Sequence, residues 1–324
     1  MGFGQFDFIC TKAALPLCPL VGPYSSNEPT GSAAVGVFAE CFARSIDLAN
    51  TMIFQIGNAF INIGALAVIV IIIINIRTKY TAIGRREILD FFFMYLVVTA
   101  LSLVIDSGVV PPGSSPYPYF VAVHCGFSSA ACWCLMINGL LGFQLWEDGT
   151  PRAVMLTRAS SIAIWALTFV FALLTFQDWG GAAFSHTQTT ALFVVLYILN
   201  ALFVFIYVVS QIVLTIFVLR DLWAFGAVAL GIIFFIIGQV LLYAFSKIIC
   251  TNVKHYLDGL FFASLCNVFT IMMVYKYWDM ITTEDLEFSV SNKESTWEVK
   301  ELLEDSRRYD NDSDYNSVYP SNHY

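Results

Sequence analysis

ALFVVLYILNALFVFIYVVSQIVLTIFVLRDLWAFGAVALGIIFFIIGQVLLYAFSKII (Ala191–Ile249) is overwhelmingly apolar, and Arg220 and Asp221 interrupt it near its middle. One straight helix of that length would measure roughly 88 Å at 1.5 Å per residue. The hydrocarbon core of a bilayer is only about 30 Å thick. Adjacent charges at the centre of such a helix would also lie deep in lipid, at a cost of about 2.5–3.5 kcal/mol each. A tight helical hairpin with Arg220 and Asp221 at the membrane surface removes both problems. The stretch therefore reads as two spans.

The rest of the chain follows the same pattern. Further apolar runs cover Met52–Ile76, Ile88–Val110, Phe120–Trp146, Ala159–Phe176 and Tyr256–Trp278, flanking the pair Ala191–Leu219 and Leu222–Ile249. About 20 mostly apolar residues cross a bilayer as a helix; the fourth run is marginal. In lipid each backbone N–H and C=O must be satisfied within the segment, so these runs are helices. Hydrophobic residues make up 58% of the chain and charged residues 12%, about half the usual charge of a soluble chain. The fold class is an all-α integral membrane protein, a seven-transmembrane helical bundle. An N-terminal segment (1–51) precedes the membrane domain (52–278), and an acidic flexible tail (279–324) follows it.

Basic residues set the expected orientation. The first, third and fifth connections carry Arg77, Lys79, Arg85, Arg86, Arg152, Arg158 and Arg220, and the sixth carries Lys247 and Lys254. Lys and Arg mark the cytoplasmic side. The excess of seven over two places the N-terminus in the lumen and the C-terminus in the cytosol. The opening residues lack a basic start and a continuous apolar core, so they do not read as a cleaved signal peptide.

The tail holds twelve acids against four bases, a net charge of −8 equal to that of the whole chain. Such a segment cannot bury enough apolar surface to fold alone, and its charge makes it a poor ligand for nucleic acid. Asp285-Leu286-Glu287 has the acid-x-acid form of a cargo-exit signal, which makes vesicle-coat cargo machinery a candidate partner.

Five of the eight cysteines, Cys10, Cys18, Cys41, Cys125 and Cys250, fall on or near the expected luminal side. An oxidising lumen permits disulfides. Cys10 and Cys18 are candidates to tie the N-terminal segment to itself or to Cys125, and spacing alone leaves the pairing open. Cys132, Cys134 and Cys266 read as small apolar fillers within spans. No CxxC or HxxxH pair occurs, so no metal or cofactor site is expected.

Within the third span, Gly126, Ala130, Cys134, Asn138 and Gly142 recur every four residues. That spacing predicts one narrow small-residue face where a neighbouring backbone approaches closely. Asn138 there serves either as glue between helices or as a contact for another membrane protein.

Residue chemistry separates the classes that seven spans allow. A retinal protein needs a lysine deep in the last span, and the seventh run has only Lys276 at its edge. Transporters keep ionisable groups at mid-membrane; here Asp90, Asp106, His124 and Asp258 lie near span ends. A rhodopsin-like receptor would carry Asp/Glu-Arg-Tyr after span three and Asn-Pro-x-x-Tyr in span seven, and neither occurs. A divergent seven-transmembrane receptor coupled to cytosolic partners remains the alternative. No nucleophile–base set converges, so the chain does not read as an enzyme.

Three blocks carry a resemblance: FICTKAALPLCPLVG (Phe8–Gly22), NGLLGFQLWEDGTP (Asn138–Pro151) and DGLFFASLCNVFTIMMVYKYWDMITTEDLEFSV (Asp258–Val290). They resemble the fungal chitin synthase export chaperone family, over nearly the whole chain through Val290. The resemblance implies a multi-pass protein of the endoplasmic reticulum membrane. It would help a chitin synthase catalytic subunit fold and leave that compartment, in support of cell-wall chitin, without catalysing anything itself. Asn138, Glu147, Asp148, Trp278 and Asp279 are then the candidate client contacts. Of these, Glu147, Asp148, Trp278 and Asp279 lie on the expected cytosolic side.

Overall fold

The computed structural model of the protein describes residues 2–23, 35–48, 51–53, 55–80, 82, 84–143, 150–181 and 184–282. The chain divides into two units, 1–277 and 278–324. The first holds α1 (Asp7–Lys12), a short antiparallel pair β1 (Ile46–Leu48) and β2 (Thr51–Ile53), and the spans as far as residue 277. The spans are α2 (Ile56–Thr78), α3 (Arg85–Asp106), α4 (Tyr117–Leu141), α5 (Pro151–Phe176), α6 (Thr190–Leu219), α7 (Leu222–Asn252) and α8 (Gly259–Thr282). The protein is a multi-pass membrane bundle of seven helices, each long and apolar enough to cross. Apart from this strand pair and an isolated β-bridge between Ser185 and Gln188, the regular structure of the described residues is helical.

The turn at Arg220–Asp221 forms as the charge argument requires. Arg220 takes a left-handed conformation (φ 53°) and ends α6. Asp221 then caps α7: its Oδ1 accepts from Trp223 N at 2.9 Å and its Oδ2 from Ala224 N at 3.2 Å. One residue stops a helix and the next starts another, so two residues suffice for the reversal.

Helix starts differ most from the apolar runs where a polar turn precedes them. The run from Ala159 is marginal in length, yet α5 begins at Pro151. Thr150 accepts from Ala153 N at 3.3 Å and proline occupies the first turn. Threonine at the cap and proline just inside are a strong start signal, and the first turns are helical but too polar to register as apolar. Likewise α3 starts at Arg85 rather than Ile88, behind Gly84 at φ 65°.

The α2 buried face recurs at Asn58, Asn62, Ala65, Ile69, Ile72 and Ile76. This alternating four-three spacing keeps one stripe toward a neighbour, and α3 packs there. The centre of the bundle is α4, against α3, α5 and α6. Half of the most apolar window of α4 is buried, against 11% for α6 and 17% each for α7 and α8.

The N-terminal segment has no core of its own and shares one with the bundle. Phe6, Cys10, Leu17 and Val21 are buried in one cluster with Ile105, Tyr117, Val121, Ala172 and Leu192. Helix α1 therefore owes its order to tertiary packing; six residues are too few to form a stable helix alone.

Candidate functional site

The N-terminal segment closes one end of the bundle. Gly22 N donates to His186 O at 2.7 Å, Arg44 N to His255 O at 2.8 Å, and Gln55 N to Asp106 O at 3.2 Å. Tyr117 Oη donates to Pro16 O at 2.7 Å, and Thr189 Oγ1 to Gly4 O at 2.8 Å. The α3–α4, α5–α6 and α7–α8 connections are thus gathered under a single cap.

Two disulfides fasten it. Cys10 joins Cys18 across a sequence separation of 8, and Cys41 joins Cys250 across 209. Cys125 is a free, buried thiol, so the pairing option that involved it is not the one the fold makes. The longer bridge was not singled out from sequence. The only signal was that both sulfurs were expected on the same side. Lys247 forms an ion pair with Glu40 beside it, and that contact lowers the Glu40 carboxyl below its ordinary range.

His255 Nδ1 lies 3.4 Å from Cys41 Sγ and 3.7 Å from Cys250 Sγ. Among the described residues this is a group whose ligand atoms gather closely enough for a metal. With the two sulfurs bonded to each other there is no thiolate to offer. The trio does not fit a metal centre as it stands.

Beneath the cap lies a chamber of about 370 Å³ whose walls include Leu15, Pro16 and Leu17. Its polar side is set by Asp106 at the end of α3. Asp106 Oδ2 accepts from Asn58 Nδ2 at 2.5 Å and from Asn62 Nδ2 at 2.9 Å. The two asparagines are one helical turn apart on α2, so both reach one oxygen. Ser102 and His124 Nε2 pair at 2.9 Å in the same wall. Asp258, at the start of α8, accepts from Phe261 N at 3.2 Å. Burial raises its carboxyl above the ordinary carboxylate range.

The candidate client contacts separate. Asn138 Nδ2 donates to Cys134 O at 2.8 Å and to Glu87 O at 3.3 Å. Its donors therefore join α4 to α3 within the bundle. Trp278 and Asp279 share the last turns of α8, where Thr282 Oγ1 donates to both of their carbonyls at 3.0 and 3.1 Å. Glu147 and Asp148 lie outside the described residues, as does the tail beyond Thr282.

The four-residue stripe on α4 does not make one face. An α-helix turns about 100° per residue, so each four-residue step drifts about 40°. A side chain at Gly126 would meet Trp165 of α5 at 2.9 Å, Cys134 and Asn138 face the Glu87 carbonyl of α3, and a side chain at Gly142 would meet Leu214 of α6 at 2.5 Å. The stripe winds past three neighbours in turn. The closest seam between α4 and α6 instead includes Gly139, which the four-residue count skips. Gln211 Nε2 donates to Gly139 O there at 3.2 Å.

No solved structure matches the chain. A profile of the chitin synthase export chaperone family matches residues 2–292. The chitin synthase export chaperones of Aspergillus oryzae and Aspergillus fumigatus are each 56% identical to it, over all of this chain and 96% of the relative. That of Yarrowia lipolytica is 53% identical over 94% of this chain and 92% of its own length. These relatives are named for a chaperone's role, which is not an enzymatic one. On a match that runs from the N-terminal cap through all seven spans, the chain belongs to the chitin synthase export chaperone family.

Proposed function

We propose that the protein is a membrane-embedded escort for a chitin synthase catalytic subunit, which it helps to fold and to leave the endoplasmic reticulum. Membership of the export chaperone family over residues 2–292 carries this reading. A multispan client exposes polar groups to lipid before it is assembled, and each unsatisfied group there costs several kcal/mol. A bundle whose own helices are joined by amides and close glycine contacts has the means to cover such groups. Interhelical hydrogen bonds in membranes average only about 0.6 kcal/mol, which permits release.

The orientation that goes with this role has the cap in the lumen and the tail in the cytosol. Glu147, Asp148, Trp278 and Asp279 then read the client from the cytosolic side. Asp285-Leu286-Glu287 is the candidate contact for coat machinery.

Deletion tests the reading. In the deletion strain the synthase should stay in the endoplasmic reticulum and surface chitin should fall. Synthase that reaches the surface at normal levels would defeat the escort role. Affinity capture from native membranes should then recover a synthase with the chain. Recovery of a heterotrimeric G protein in its place would favour the receptor reading.

A further inference from the structure

The chamber under the cap holds a carboxyl, that of Asp106, with no lysine or arginine beside it in the walls. Asp106 is only 5% exposed. A buried carboxylate left unpaired costs several kcal/mol. Both amide donors converge on Oδ2, so Oδ1 is available to an occupant. Asn58, 6% exposed, donates through Nδ2, which turns its Oδ1 away from Asp106. That oxygen is buried without a partner among the described residues. A carboxyl oxygen and an amide oxygen thus belong to two residues that line one wall of the chamber. A group with several N–H donors and a positive charge satisfies both, and a primary ammonium has three such donors.

A second cavity of about 270 Å³ adjoins the first, and Tyr95, Val98, Ser128 and Asn267 belong to the walls of both. It runs away from the cap between α3, α4, α6, α7 and α8. Its walls are largely apolar, with Phe91, Val204, Val228, Ile232, Phe235 and Met273 among them. Polar at the capped end and apolar beyond, the pair matches an amphiphile. The volumes suit a small ligand site of about 300–1,000 Å³, hence one chain rather than a two-chain phospholipid. The least buried spans, α6 to α8, lie on the side of the apolar cavity, where a bilayer amphiphile has the shortest way in.

We propose that the two cavities form one binding site for a single-chain cationic amphiphile, with its ammonium on Asp106 and Asn58 and its hydrocarbon chain beside Phe91, Val228 and Met273. The site is independent of the escort reading, and its test needs no client. The full chain in a neutral maltoside detergent is melted with hexadecylamine, with hexadecanol, with ethanolamine, and with sodium chloride against choline chloride. Hexadecylamine should raise the melting temperature by about 4 °C or more at saturating concentration, and the other additions should not. Asp106→Asn and Asn58→Leu should lose the shift, while Asp178→Asn, a carboxylate at the same end but outside the chamber, should keep it. Val228→Phe should weaken it by filling the apolar half. A diazirine-bearing hexadecylamine covers the case in which a variant fails to fold. On the unmodified protein it should label the walls of the apolar cavity, and unlabelled amine should compete. An equal shift with ethanolamine or sodium would mean a free-cation site and overturn the proposal. An equal shift with hexadecanol, or labelling confined to the outer surface, would overturn it as well.

Discussion

Replacing Gly139 with alanine adds one methyl group where α4 has no room for it. A Cβ there would sit 2.7 Å from Ser210 Oγ, 2.7 Å from Tyr207 Cδ2 and 2.9 Å from Gln211 Nε2. The first two are not free ends of flexible side chains, and Gln211 Nε2, though terminal, is held by its bond to Gly139 O. Ser210 Oγ is a single bond from its own Cβ and donates to Tyr207 O at 2.7 Å, and Tyr207 is a rigid ring. The helices must separate by several tenths of an ångström, which also lengthens the Gln211 contact to Gly139 O. Overpacking costs about 1–3 kcal/mol, and loss of the interhelical hydrogen bond adds roughly 0.6 kcal/mol. At about 2–4 °C per kcal/mol, the detergent-solubilised protein should melt several degrees lower, as read by size exclusion after a heating series. Gly64→Ala is the control, because nothing lies within 4 Å of a Cβ there, and it should be neutral or slightly stabilising. If the two alanine variants melt alike, the α4–α6 seam is not closely packed and the reasoning fails.

Three further outcomes are expected. Without reductant, denatured protein should take up alkylating reagent at four of its eight cysteines, Cys125, Cys132, Cys134 and Cys266; reduction should free the rest and lower the melting temperature, the Cys10–Cys18 loop alone contributing about 2.5 kcal/mol by chain entropy. A glycosylation acceptor inserted before Cys41 should be modified and one after Asp279 should not, with the reverse pattern inverting the proposed orientation. Burial raises the Asp258 carboxyl above its ordinary 3.8, so the folded state holds that proton more tightly than the unfolded state and this residue's contribution to stability declines as pH rises from about 4 through the folded value; Asp258→Asn, which keeps the helix cap, should melt with a shallower decline than the parent between pH 4 and 8.

The spans were legible because a bilayer allows so few solutions. Once backbone groups must be satisfied locally, an apolar run and a pair of charges at Arg220–Asp221 leave little choice. Helix ends were less legible where capping, not hydropathy, sets them, as at Thr150–Pro151. The cap was hidden for another reason. Phe6, Leu17 and Val21 look like stray apolar residues in a loop until Ile105, Tyr117 and Ala172, from distant spans, are brought beside them. The same distance hid the Cys41–Cys250 bridge. Asp106 was visible as a charge near a span end, but its two asparagine partners lie on another helix, more than forty positions away.

What the fold leaves unburied bears on how a client would be recognised. The outer faces of α6 and α7 expose Leu202, Phe205, Phe217, Ile233 and Ile236. In water such a face would be a docking surface in itself. In a bilayer it is solvated by lipid tails as well as by any partner, so apolar area there supplies no driving force for association. Discrimination must come from close backbone approach or from polar groups. Within the spans several of the amides are already engaged: Asn138 with the Glu87 carbonyl, Asn200 with Ser129 Oγ at 3.0 Å, and Gln211 with the Gly139 carbonyl. The acidic residues of the proposed client contact, Glu147, Asp148 and Asp279, are therefore the better place to look for selectivity. Exchanging Leu202, Ile233 and Ile236 for valine should leave synthase export at the parental level, while neutralising Glu147, Asp148 and Asp279 together should reduce it severalfold in a surface-delivery assay. The opposite ranking would mean that the client is held by shape along α6 and α7, and that the end-on reading of the acidic residues is wrong.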